Sequence, residues 1–475
     1  MDKNNIKYIK YKELYEKNKL YWGLGIENEV YLECEKTKKV SKEYILKNKS
    51  RERYSIDYYS NYKDDFGLVH YFYHEKEDME VPFLINSHSF TKTDKNTNPK
   101  TMYTKLSEPN PEFEGETLIE TLQKHNVYFK DNPYWLFDGD TVEFATLNFF
   151  NEKLTNIINS LNNSKKVFIK NINTSFKELD IFKEFGKINI MKNNYPFGVY
   201  LTNMKNVGMF NNGTLHYNIT LPTKLDNDCF IENKTEFINI HSKAIKIIQW
   251  MEPFLVAIYG SPDPLSIHDN NFSKASQRCA ISRYVSIGTY DNETMIPGKI
   301  LTKKVSEFGD YHWYNQYYKN NGYTKLNEIG LDINFNKHFN HGIEIRFLDH
   351  TELIGESFEF IIYLMDHILS IKNDIVNPIK CVAWNKFVAR IMKDGKDYIL
   401  TSYEKDIYGS LFSIKIKKDK LIDIYYEIYS ILLLKFNKVK KGKYIPIGMF
   451  SKLTMETRSD ILYPFITFKN YSCFH

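Results

Sequence analysis

The sequence predicts an α+β fold in which an antiparallel or mixed sheet carries polar residues on one face and helices on the other. Three observations lead there. Several short segments alternate polar and apolar residues with the period of a strand. Longer apolar-periodic segments with the period of a helix fall between and after them. Finally, 475 residues at 42% hydrophobic and 26% charged supply enough core for one large domain or a few ordinary ones.

In chain order, residues 1–20 are a Lys-rich lead-in, and Gly23 to Glu35 alternates strictly and reads as one strand. Residues 36–133 are polar and irregular, with a strand pair expected near His70–Ile85 and a loop through Asn98-Pro99, Pro109 and Pro111. Trp135 to Phe149 reads as strand–turn–strand around Asp138-Gly139-Asp140, and Glu152 to Leu179 as helix. Leu215 to Leu221 alternates again, Ile238 to Tyr259 is helical with Pro253 bending it, Gly342 to Phe347 is a strand, and Glu356 to Ile371 a helix. After Asn377-Pro378 the pattern is helical and becomes Lys-rich from Lys415. The division expected is a domain over 1–375, with insertions at 36–133 and 285–341, and a helical Lys-rich accessory region over 376–475.

Composition narrows the class. Five scattered cysteines without CxxC spacing argue for a reducing compartment and against a disulfide framework or structural zinc. No secretory h-region is visible and no apolar run reaches spanning length, so a soluble, intracellular, cytoplasmic protein is expected, with no membrane partner. A net charge of +5 is too small to argue for nucleic acid.

Five segments carry chemistry. In the first strand Glu27, Glu29, Glu33 and Glu35 share a face opposite Ile26, Val30, Leu32 and Cys34. Adjacent carboxylates repel unless cations lie between them, and hard oxygens suit Mg²⁺ or Mn²⁺; a solvated strand face is the alternative. The second segment runs Asp138-Gly139-Asp140 to Glu143, an acidic turn followed by a carboxylate on a strand, or simply a hairpin. In the third, Asn212-Gly213 opens a strand whose polar face is His216, Asn218 and Thr220 and whose apolar face is Leu215, Tyr217, Ile219 and Leu221. That polar face is either exposed or lines a site. In the fourth, Arg278 and Arg283 suit phosphate oxygens, or are surface arginines. In the fifth, Glu344 and Arg346 share a strand face, as metal ligand and phosphate clamp or as an ion pair.

Taken in order, these segments resemble the glutamine synthetase / glutamate–cysteine ligase superfamily, including its amidoligase branch. The counterparts are Glu27/Glu29, Asp138 to Glu143, Asn212-Gly213 to His216, Arg278/Arg283 and Glu344/Arg346, with Trp250 to Phe254 similar to the helix before the arginines. The resemblance implies a curved antiparallel sheet forming an open funnel with helices outside it, ATP at one end and Mg²⁺ (or Mn²⁺) between the substrates. By the same resemblance Glu29 and Glu143 hold one metal and Glu27, His216 and Glu344 another. Arg278, Arg283 and Arg346 neutralise the transferring phosphoryl group, while Asn212, Gly213 and, in place of a second family histidine, Asn218 line the substrate end. The turn is one residue shorter than in glutamine synthetase, and the stretch between Arg283 and Glu344 is far longer, which suggests an inserted loop near Tyr311–Tyr323.

The implied activity is an ATP-dependent carboxylate–amine ligase acting through an acyl phosphate on small-molecule or peptide acids and amines. ATP converts an oxide into a good leaving group, prepositioned cations stabilise the transferring phosphoryl, and a carboxylate (Asp138, Asp140 or Glu33) deprotonates the amine. No P-loop and no Gly-x-Ser-x-Gly occurs. The alternatives are a guanidino-type phosphotransferase of the same superfamily, and a catalytically inactive binding protein using Lys415, Lys417, Lys418, Lys420 and Lys435 to Lys443 against nucleic acid or an acidic protein.

Overall fold

A computed structural model describes residues 8–9, 11–41, 78–85, 118–130, 132–138, 141–146, 154–191, 213–262, 274–276, 279, 287–288, 290–293, 295–297, 332–337, 340–371 and 374–440. Of the expected elements, His70–Glu77, the 98–111 loop, the Tyr311–Tyr323 loop and the Lys run past 440 lie outside them. The strands are β1 (Leu20–Val30), β2 (Leu32–Ser41), β3 (Asp78–Ile85), β4 (Trp135–Asp138), β5 (Thr141–Ala145), β6 (Ile188–Ile190), β7 (Thr214–Lys224), β8 (Tyr290–Asp291), β9 (Ile296–Pro297), β10 (Ile333–Phe335) and β11 (Ile343–Asp349). The helices are α1 (Leu118–His125), α2 (Leu154–Glu178), α3 (Phe182–Phe185), α4 (Lys234–Tyr259), α5 (Ile354–Ser370), α6 (Val382–Asp394), α7 (Ser402–Phe412) and α8 (Leu421–Lys440). The result is mixed α and β, with a six-stranded sheet in the order β10-β11-β7-β1-β5-β4, whose β1–β5, β4–β5 and β10–β11 pairings are antiparallel. None of the described helices is long and apolar enough to cross a membrane.

Contacts group the chain into two units, and the division falls inside β1, after Ile26. In the larger unit, the C-terminal half of α4, from Ile247 to Tyr259, is buried on every side, as a central core helix must be. Asn233 caps it by accepting from the Glu236 amide at 3.1 Å, and Pro253 sits within the uninterrupted helix. β7 meets α5 at Tyr217, which stacks on Phe358 with ring centroids 4.3 Å apart and shares a 2.6 Å hydrogen bond with Ser357. Later helices seal α4. The Tyr408 hydroxyl donates to the Trp250 carbonyl (2.7 Å), and the Tyr425 hydroxyl lies 2.8 Å from that of Tyr259, which donates to Glu356 at 2.8 Å.

In the smaller unit α2 packs on the face of β1, β5 and β4 that carries Asn28, Phe144 and Trp135, with Phe168 meeting Trp135 at 4.7 Å between centroids. Asn173 of α2 holds β6 by bonding both the amide and the carbonyl of Ile188 at 2.8 Å.

One expectation is corrected. Gly23 to Glu35 is not one strand: β1 ends at Val30, Tyr31 intervenes, and β2 pairs instead with β3 and β6. Glu33 therefore lies opposite Leu84 and Asn189, and Glu35 accepts from the Lys187 amide at 3.0 Å. Neither stands in the row of Glu27 and Glu29. A period-two pattern persists through a one-residue break, because both strands have one apolar face, so alternation cannot report a change of sheet.

Glu252 of α4 is fully buried, and among the described residues neither of its carboxylate oxygens completes a hydrogen bond. Burial first, and then the neighbouring Asp332 carboxylate, push its pKa well above the ordinary value of 4.5, outweighing the nearby Gly288 amide. A carboxyl whose pKa is raised on folding contributes stability that is complete below its unfolded value and lost as pH rises through the folded one. Glu252→Gln should therefore exceed the wild type in melting temperature at pH 8, with the gap narrowing toward pH 4.5, near the ordinary value. Calorimetry at the two pH values checks this; a gap independent of pH would refute it.

Candidate metal centre

The polar face of β7 is not exposed. Thr214 to Leu221 are all buried, so His216, Asn218 and Thr220 face an interior. Thr220 accepts from the Gly342 amide at 3.0 Å and donates to the Asn340 carbonyl at 3.2 Å, fixing β11 beside β7. The Asn218 amide oxygen lies 2.5 Å from His341 Nε2.

On β11, Glu344 is only 1% exposed and both of its oxygens are engaged. Oε1 accepts from Arg346 Nη1 at 2.6 Å and lies 3.6 Å from His216 Nδ1. Oε2 accepts from Asn334 Nδ2 at 2.8 Å and lies 3.7 Å from Lys337 Nζ. Arg346 is itself partly exposed.

Glu27 completes the set from β1, the strand next to β7. One ligand atom each from Glu27, His216 and Glu344 lies within 4.8 Å of the others. Octahedral ligands at about 2.1 Å stand about 3 Å apart when cis and about 4.2 Å when trans, so the three side chains would draw closer to share one ion. Two carboxylates and an imidazole suit Mg²⁺ or Mn²⁺, with the imidazole favouring the latter.

Two positions along the same face of β1, Glu29 stands directly across from Glu143 of β5. Both side chains are half-buried. Like charges in such a pair oppose sheet formation unless a cation or donor serves them. On the other face, Asn28 is buried, donates to the Thr214 carbonyl at 2.7 Å, and accepts from Lys165 of α2. That bond ties β1 to the residue that opens β7, next to the buried Gly213.

Among the other site candidates, Asp138 closes β4 opposite Thr141. Asp140, Asn212, Arg278 and Arg283 lie outside the described residues. The sequence reading did not single out Asn334, Lys337 or His341. All three fall in the segment taken as an insertion, and a three-residue strand has no period to detect.

No family model matches the chain. It is 39% identical over 406 residues to uncharacterized protein R704 of Acanthamoeba polyphaga mimivirus, an alignment covering 82% of this chain and 70% of that protein.

Proposed function

The chain belongs to the same family as that mimivirus protein, and for it we propose the activity of an ATP-dependent carboxylate–amine ligase. The reading is carried by one observation, the convergence of Glu27, His216 and Glu344 within 4.8 Å beside the Arg346 guanidinium. A divalent cation bound there supplies positive charge for the oxygens of a transferring phosphoryl group. Glu344 and Glu27 bring negative charge and His216 a neutral donor, from three neighbouring strands whose pairing fixes their spacing. Arg346, Arg278 and Arg283 would neutralise the phosphate oxygens, a role that the resemblance assigns to all three. Glu29 and Glu143 would hold the second ion, nearer the acid. Asn212, Gly213 and Asn218 would line the amino-acid-like end, and Asp138 or Asp140 would take the proton from the incoming amine. The acid is phosphorylated by ATP, and the amine then displaces phosphate to form an amide. A cytoplasmic setting fits a nucleotide-dependent reaction.

The test is phosphate release from Mg-ATP in the presence of single amino acids and simple amines. The ligase reading expects release that needs both an acid and an amine, and its abolition in Glu27→Gln. A stable phosphorylated product would mark a phosphotransferase instead. Turnover unchanged in Glu27→Gln would remove the metal assignment.

A further inference from the structure

Glu344 has two oxygens that must do different work. Oε1 is turned toward His216, while Oε2 points to the sheet edge, where β10 is the outermost strand. A carboxylate turns about its last bond, so a ligand is fixed only if its second oxygen is held. The residue holding it is Asn334, paired across β10–β11 with Glu344 and donating from Nδ2 at 2.8 Å. The short β10 strand is itself pinned at both ends: the Arg346 amide donates to the Asp332 carbonyl at 2.8 Å and the Asn336 amide to the Gly342 carbonyl at 3.0 Å. Asn336 and Asn340, both with positive φ, shape the turn that follows. An amide at this position orients Oε2 without adding a charge that would compete with a cation. Lys337 is too exposed, at 45%, and too distant, at 3.7 Å, to fix an orientation.

We infer that Asn334 is a positioning residue for the metal centre, holding the Glu344 carboxylate so that its inner oxygen faces His216. The inference rests on the metal reading above and adds a residue to it. It assigns β10, three residues long, to the support of the site.

The test is Mn²⁺ binding to the full-length protein, followed by loss of the free-ion electron paramagnetic resonance signal. Thermal unfolding without metal is measured alongside. Asn334→Leu keeps the size but cannot donate, and should weaken Mn²⁺ about 10-fold or more, the usual cost of losing an orienting partner, with the metal-free melting temperature unchanged. Asn334→Thr, which suits a strand but does not reach Oε2, should show the same loss and serves if the Leu variant is unstable. Asn334→Gln, which restores a donor, should recover affinity to within about threefold of the wild type. Affinity within about twofold of the wild type in the Leu and Thr variants overturns the positioning role alone, provided Glu27→Gln has lost Mn²⁺. Equal losses in Leu and Gln variants overturn it too, since packing rather than the donor would then be responsible. If Glu27→Gln binds Mn²⁺ as well as the wild type, or the wild type binds none, the metal reading fails and this role fails with it.

Discussion

Glu344→Gln should lower Mn²⁺ affinity by more than about 100-fold, because losing an orienting partner alone costs 10- to 100-fold and this change removes a ligand. The substitution keeps the shape of a side chain that is 1% exposed, and its one amide oxygen can still accept from Asn334, though no longer from Arg346 as well. Arg346 loses its carboxylate partner but is partly exposed and can turn to water, which limits the stability cost. ATP turnover should fall with metal binding while thermal unfolding changes little. Titration calorimetry with Mn²⁺ and a melting curve on the same sample give both readouts. A variant that retains Mn²⁺ affinity would show that the Glu344–Arg346 contact is only an ion pair, the plain alternative that the sequence left open.

Gly342→Ala should destabilise the protein by about 3 kcal/mol or more, or displace the start of β11. A Cβ there would lie 2.3 Å from the Ile219 carbonyl oxygen and 2.8 Å from both His241 Nε2 and Thr220 Cα. The first and last are backbone atoms, and the His241 contact has no slack either. His241 is locked, accepting from the Leu221 amide at 3.0 Å and contacting the Phe237 carbonyl through Nδ1 at 2.7 Å. Burial lowers its pKa to about 4, so it stays neutral and cannot adapt by charging. Because Glu344 follows two residues later, the shift should also weaken Mn²⁺ binding, which a purely structural loss elsewhere would not do. A Gly342→Ala protein with unchanged melting temperature and unchanged Mn²⁺ affinity would contradict the close approach of β11 to β7.

The metal candidates were legible for a simple reason. Alternation in a strand assigns each side chain to a face, so it pairs Glu27 with Glu29, His216 with Asn218, and Glu344 with Arg346. On β7 the apolar Tyr217 packs against α5. Two features were not legible. The break at Tyr31, which sends Glu33 into another sheet, leaves no trace in a pattern that continues across it. Asn334 escaped because its importance comes from standing opposite Glu344, and nothing local to Ile333–Phe335 announces a partner ten residues on.

By itself the sequence determined which side chains within a strand share a face, where the long apolar helix around Trp250 lies, and which residue types are present to hold a cation. Only the tertiary structure decided that β1 lies beside β7 and β7 beside β11, so that Glu27, His216 and Glu344 meet, and that Glu143 stands across from Glu29. The reason is physical: side-chain direction follows from local backbone geometry, whereas strand order and register are set by long-range pairing and packing, to which no short stretch of sequence has access.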